Sequence, residues 1–118
     1  MGYIALIDNN RKWILTPNHL FDFFDKNYRA FSFSKIEDLD RPYSYEWDIK
    51  EPRIEGFLHK KGDSVHFDGA LDDCFDFIIK LRQIIPLSEN ILFFDSSYNF
   101  NTTIEESTTI ENLKQIFK

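Results

Sequence analysis

The 118-residue chain holds one cysteine, four glycines, four prolines, no basic cluster longer than Lys60-Lys61, and no apolar run of bilayer length. The lone Cys74 excludes an intrachain disulfide and a cysteine-rich metal site, and suits a reducing compartment. So few glycines leave little scope for the close backbone approach that phosphate and dinucleotide loops need. No P-loop, dinucleotide fingerprint, nucleophile elbow or Ser/His/Asp spacing can be found. A spanning helix would need about 20 apolar residues. Met1-Gly2-Tyr3-Ile4-Ala5-Leu6-Ile7 lacks the basic region of a signal peptide, and Leu6 breaks the myristoylation pattern, so the expected location is the cytoplasm. Cationic surface is scarce too, with 14 basic against 20 acidic residues and a net charge of −6. That balance disfavours nucleic acid and anionic membranes and suits a basic protein partner.

Aromatic residues are plentiful, at 13 Phe, 5 Tyr and 2 Trp, enough for a dense core in one domain spanning 1–118. Strands are predicted over Tyr3 to Ile7 and Lys12 to Leu15, joined as a hairpin through Asp8-Asn9-Asn10. Thr16-Pro17 opens a helix running to Asn27, with Thr16 as N-cap and Pro17 at the first helical position. Alternation marks strands at Phe31 to Phe33 and Tyr43 to Ile49. Ile54 to His59 returns through Lys60-Lys61-Gly62-Asp63 into Ser64 to Asp68. That register sets Leu58 opposite Val65, Phe57 opposite His66, Gly56 opposite Phe67, Glu55 opposite Asp68, and Lys60 opposite Asp63 as a charge match. A helix from Ala70 to Ile85, stopped by Pro86, presents Cys74, Phe77, Ile78 and Leu81 as an apolar stripe. Ile91 to Phe94 and Phe100 to Ile104 read as strands, and Thr108-Thr109-Ile110-Glu111 as a capping box before a last helix. The fold class is α+β, a mainly antiparallel sheet of six to eight strands packed against about three helices.

Several groups bear on chemistry. Glu55, Phe57, His59, Ser64, His66 and Asp68 share one hairpin face, with the two imidazoles as diagonal neighbours about 7 Å apart. A zinc site or a histidine-pair hydrolase is one reading of that face; a solvated polar sheet face is the plainer one, and Glu55 and Asp68 would repel a phosphate. Cys74 sits at helical intervals from Ala70, Ile78 and Leu81, as a small core residue does. Asp72, Asp73 and Asp76 suit the start of a helix, where the backbone dipole favours negative charge. A magnesium site from Asp68, Asp72 and Asp73 has no supporting spacing. His19 reads as a surface or capping residue. No catalytic residue, metal or cofactor is assigned, and the chain is read as a non-enzyme.

From Glu37 to Glu55 the sequence carries seven acidic residues against three basic ones, most of the whole-chain excess. Within it Tyr43, Tyr45, Trp47 and Ile49 fall on one strand face and Ser44, Glu46, Asp48 and Lys50 on the other. The aromatics belong to the core and the carboxylates outside. Glu37, Asp38, Asp40, Glu46, Asp48 and Glu51 are therefore the candidate partner-binding residues, since acidic side chains steer the approach of a basic protein.

Trp47-Asp48-Ile49-Lys50-Glu51-Pro52-Arg53-Ile54-Glu55-Gly56, with Phe67-Asp68-Gly69-Ala70-Leu71-Asp72-Asp73 and Leu81-Arg82-Gln83-Ile84-Ile85-Pro86, resembles small bacterial immunity proteins of contact-dependent growth inhibition systems. The resemblance covers about half the chain and supplies no motif that fixes binding residues. It implies a cytoplasmic protein, monomeric outside its complex, that binds the toxic domain of a matching effector, often a nuclease, and blocks it without catalysis. The alternatives are a small metal-dependent or histidine-pair hydrolase using His59 and His66, and a phage or regulatory adaptor.

Overall fold

The computed structural model describes residues 2–8 and 13–117. The elements in order are β1 (Gly2–Asp8), α1 (Pro17–Asn27), β2 (Phe31–Lys35), β3 (Tyr43–Ile49), β4 (Ile54–His59), β5 (Ser64–Gly69), α2 (Leu71–Arg82), β6 (Asn90–Asp95), β7 (Asn101–Thr103) and α3 (Ile110–Ile116). All seven strands join one antiparallel sheet in the order β2-β3-β4-β5-β1-β6-β7. This is the α+β architecture that the sequence predicts.

The helices lie on one face of the sheet because the strands alternate. Tyr3, Ala5, Trp47, Ile49, Ile54, Leu58, Val65, Phe67, Ile91 and Phe93 are all buried and point to that side. Phe77 of α2 stacks on Trp47 at 5.3 Å and packs against Phe67 at 4.8 Å, while Phe24 of α1 meets Trp47 at 4.9 Å and Phe31 at 5.5 Å. The core is thus a continuous aromatic layer between sheet and helices. Cys74 is fully buried in it, and burial first, then Asp68, pushes its thiol up to about 12, which suits an inert packing residue.

Local chemistry explains the element ends. Thr16 Oγ1 accepts from the His19 N–H and the Thr16 N–H donates to His19 Nδ1, both at 3.1 Å, so His19 completes the cap of α1. At the start of α3 the box lies one residue later than the sequence suggests. Thr109 and Asn112 form it, because Thr108 Oγ1 is taken by the Glu105 N–H at 2.8 Å. α2 ends at Arg82, not Ile85. The N–H groups of Gln83, Ile84 and Ile85 tighten onto the carbonyls of Lys80, Leu81 and Arg82 instead of continuing the α-helical ladder. The last strand is shorter than predicted, with Phe100 and Ile104 outside it.

One predicted hairpin is corrected. Its turn residues Asn9 and Asn10, and Lys12, lie outside the described residues, while Trp13 to Leu15 forms no strand. β1 pairs instead with β5 and β6. The Leu15 N–H donates to Gly62 O at 2.9 Å, and a side chain on Gly62, whose φ is +68°, would strike Ile14 Cγ2 at 2.2 Å. The segment entering α1 therefore packs against the β4–β5 turn and is held off the sheet. In that turn Asp63 faces His59 at 3.6 Å, not Lys60, whose Nζ donates to Leu39 O.

Candidate functional site

The face of the sheet opposite the helices is open, and the pairing registers bring carboxylates together on it. Asp48 of β3 stands opposite Glu55 of β4, and Glu55 stands opposite Asp68 of β5. Ser32 of β2 precedes Asp48 in the same row, and Gly2 of β1 follows Asp68. The next row runs Ser34, Glu46, Phe57, His66 and Ile4. Like charges directly opposite one another destabilise a sheet, and Lys50 offsets this at Asp48. The two rows line a concavity of about 630 Å³.

Lys50 Nζ reaches Asp48 Oδ2 at 3.0 Å, leaving Asp48 Oδ1 buried without a hydrogen bond. Glu46 and Glu55, both exposed, make no ion pair among the described residues. The concavity thus carries two acids without an ion pair among the described residues, Glu46 and Glu55, with small serines at its β2 side.

At one end it is walled by an aromatic group that strict alternation does not predict. Between Tyr43 and Tyr45 the register shifts: Tyr43 opposes His59, and Tyr45 opposes Leu58. Ser44 is the extra residue of this bulge, and its hydroxyl donates to Leu58 O at 3.4 Å. The consequence is a correction: Tyr45, Trp47 and Ile49 face the helices, but Tyr43 turns to the open face. Its ring stacks on Phe57 at 4.9 Å and meets His66 and His59 edge-on at 5.1 and 6.2 Å. Arg41 lies over Phe57 at 5.2 Å and Tyr43 at 6.0 Å, so a guanidinium already rests on this shelf.

The histidine pair shares this face as predicted, and both imidazoles are engaged. His59 Nδ1 accepts from the Lys61 N–H at 3.2 Å, and His66 Nδ1 lies 3.4 Å from Tyr43 Oη. Among the described residues no group of three or more His, Cys, Asp and Glu side chains is spaced to hold a metal ion. Burial first, and His59 second, hold the His66 imidazole below its ordinary value. As pH falls below about 6.5 the unfolded chain therefore takes up this proton before the folded one. His66 supports the fold above that pH, and its contribution is lost as pH drops through the lowered native value. Urea melts from pH 8 down to pH 5 should show a midpoint that declines below about 6.5, with a shallower decline in His66→Gln. An identical decline in both proteins would contradict this role.

The six candidate binding residues separate. Glu46 and Asp48 lie on the open face and line the concavity. Glu37, Asp38 and Asp40 are exposed in the β2–β3 connection, where the Asp38 carboxylate accepts from the Asp40 N–H at 3.0 Å; Glu51 is exposed in the β3–β4 turn at the other end of the strand. Glu55 and Asp68, which the hairpin register sets opposite each other, complete the acidic row. Combining that register with the alternation of β3 was the signal available for this grouping.

No family model, curated protein or solved structure matches the chain. Among the described residues no helix is long and apolar enough to cross a membrane.

Proposed function

We propose that the protein is an immunity-type binder that neutralises a cognate toxin domain by taking a basic surface of that domain, such as the phosphate-binding surface of a nuclease, onto its open sheet face. The observation that carries this reading is the row Asp48, Glu55 and Asp68, flanked by Glu46, across adjacent strands of an uncovered face. Within it Glu46 and Glu55 have no ion pair among the described residues and gain from a cationic partner. The Tyr43–Phe57 shelf supplies the aromatic anchor, of the kind that concentrates binding energy at interfaces. The exposed acids Glu37, Asp38, Asp40 and Glu51 sit at the two ends of β3 and extend the negative field that steers encounter.

The partner to test is the C-terminal domain of the protein encoded immediately upstream. Association should slow steeply as salt rises, and the double variant Glu46→Lys/Asp48→Lys should bind about a hundredfold more weakly, mainly through slower association. Stopped-flow association rates at two salt concentrations check this. A salt-insensitive rate that the double reversal leaves unchanged would rule the electrostatic reading out.

A further inference from the structure

The outer edge of β2 presents a second feature, continuous with the acidic concavity. The Lys50 N–H donates to Ala30 O at 3.0 Å and the Ile36 N–H to Ser44 O at 2.9 Å. With Ser32 opposite Asp48 and Ser34 opposite Glu46, these bonds fix the phase of the ladder. The backbone groups of Ser32, Ser34 and Ile36 face β3, because bonded and non-bonded pairs alternate in an antiparallel pair. Those of Phe31, Phe33 and Lys35 therefore point away from the sheet, and no strand lies beyond them. The edge has one of the usual guards, the terminal Lys35, and neither a proline nor a bulge.

Both flanks of this edge are selective. On the helix side Phe31 and Phe33 are half-buried and carry Phe21, 45% exposed, edge-on at 5.4 and 6.1 Å. On the open side stand the hydroxyls of Ser32 and Ser34, and one strand further in, Glu46, without an ion pair among the described residues, and Asp48, paired with Lys50. A strand added at the edge would sit about 10 Å from β3 at the backbone. Arginine or lysine side chains on it could cross the small serines to those two carboxylates. Its alternate side chains would lie along Phe21, Phe31 and Phe33.

We infer that β2 accepts an extended strand of the partner, with basic residues alternating with apolar ones, as an eighth strand of the sheet. This inference rests on the acidic-face reading and gives the partner's segment a backbone pattern as well as a charge. Main-chain hydrogen bonds supply the pairing, and the alternation selects the sequence.

The probe is the synthetic peptide acetyl-Thr-Lys-Val-Arg-Val-Lys-Thr-amide, titrated into the full chain by calorimetry beside two N-methylated forms. One carries methyl groups on its apolar residues, the other on its basic ones, so charge is equal and only one set of amides can face β2. The expected result is selective: one methylated form binds at least about tenfold more weakly, as losing two edge hydrogen bonds implies, while the other binds like the parent. Lys35→Pro, which removes an outward N–H together with a repelling charge, should also weaken the parent peptide. Equal affinity of all three peptides, or equal loss in both methylated forms, would overturn strand addition. If binding were then still abolished by Glu46→Lys/Asp48→Lys, the acidic-face reading would stand without it. No binding by any peptide would count against both. A dimer of the protein alone, dissolved by Lys35→Pro in sedimentation, would give the edge to a second copy and overturn the proposal.

Discussion

Arg82→Ala is expected to destabilise the protein by about 3 kcal/mol or more, a large share of a small domain's total. The side chain is buried at 4% exposure, yet no carboxylate pairs with it among the described residues. Its guanidinium serves backbone instead. Nη1 donates to Glu89 O at 2.8 Å, and Nη2 to Ile85 O at 3.1 Å and Pro86 O at 2.6 Å. These carbonyls belong to the connection that leaves α2 and turns toward β6; Pro86 O also accepts from the Glu89 N–H at 2.9 Å. Hydrogen bonds to charged groups contribute about 1.5–3 kcal/mol each. Burial acts on Arg82 in the opposite sense and lowers its pKa, which sets the desolvation penalty against those bonds. Alanine removes all three donors and leaves the buried Ile85 carbonyl without the guanidinium. Arg82→Lys should recover only part of the loss, because one ammonium cannot reproduce the planar fork. Urea unfolding of the two variants checks both statements; a change below about 1 kcal/mol in Arg82→Ala would contradict the role given to the fork.

Gly56→Ala is expected to be at least as damaging, at about 3 kcal/mol or more, and to disturb the open acidic face as well as the fold. Gly56 lies on β4, in the centre of the sheet, with its missing side chain directed at the helices. A Cβ there would approach His66 O to 2.0 Å and Trp47 Cζ2 to 2.6 Å. The first contact is with the backbone of β5 and can be relieved only by moving strands apart. The second is with a ring stacked on Phe77 and packed by Phe24, so Trp47 cannot yield without reopening the aromatic layer. Since Glu55 and Phe57 flank Gly56, the shift would also break the alignment of Asp48, Glu55 and Asp68. Near-ultraviolet circular dichroism, which reports on Trp47 packing, and the denaturant midpoint should both change. Wild-type behaviour in both would show that the strand contact is looser than described.

The parts of the fold written in short-range chemistry were legible in the sequence. α1 runs from Pro17 to Asn27 as predicted because Thr16 and Pro17 fix its start. The β4–β5 register was legible because a short loop leaves few ways to align Ile54 to His59 with Ser64 to Asp68, and the observed pairs from Glu55–Asp68 to Leu58–Val65 match it. Features decided by distant contacts were not. Nothing in Tyr43-Ser44-Tyr45 announces a bulge, since the alternation there is unbroken; the extra residue follows from how β3 meets β4. The segment Trp13 to Leu15 alternates like a strand but is drawn to the Gly62 turn, a partner remote in sequence. Arg82 ends α2 early through carbonyls that are positioned only once the next connection has folded. For the site, Glu46 and Asp48 were visible as strand-borne acids, and Glu55 and Asp68 as a facing pair. Their union needed the β3–β4 pairing across Pro52, and Tyr43 joined them only through the bulge.

The most direct test of the acidic sheet face as the binding surface compares two charge reversals of equal size. Glu46→Lys/Asp48→Lys changes the open face, while Asp22→Lys/Glu111→Lys changes two exposed acids on α1 and α3, on the helix side of the sheet. Dissociation constants for the upstream-encoded domain, measured by calorimetry with both variants, should separate by about a hundredfold, with the second pair within about threefold of wild type. Equal weakening by both pairs would mean that only net charge matters, and no weakening by the first would place the partner elsewhere on the molecule.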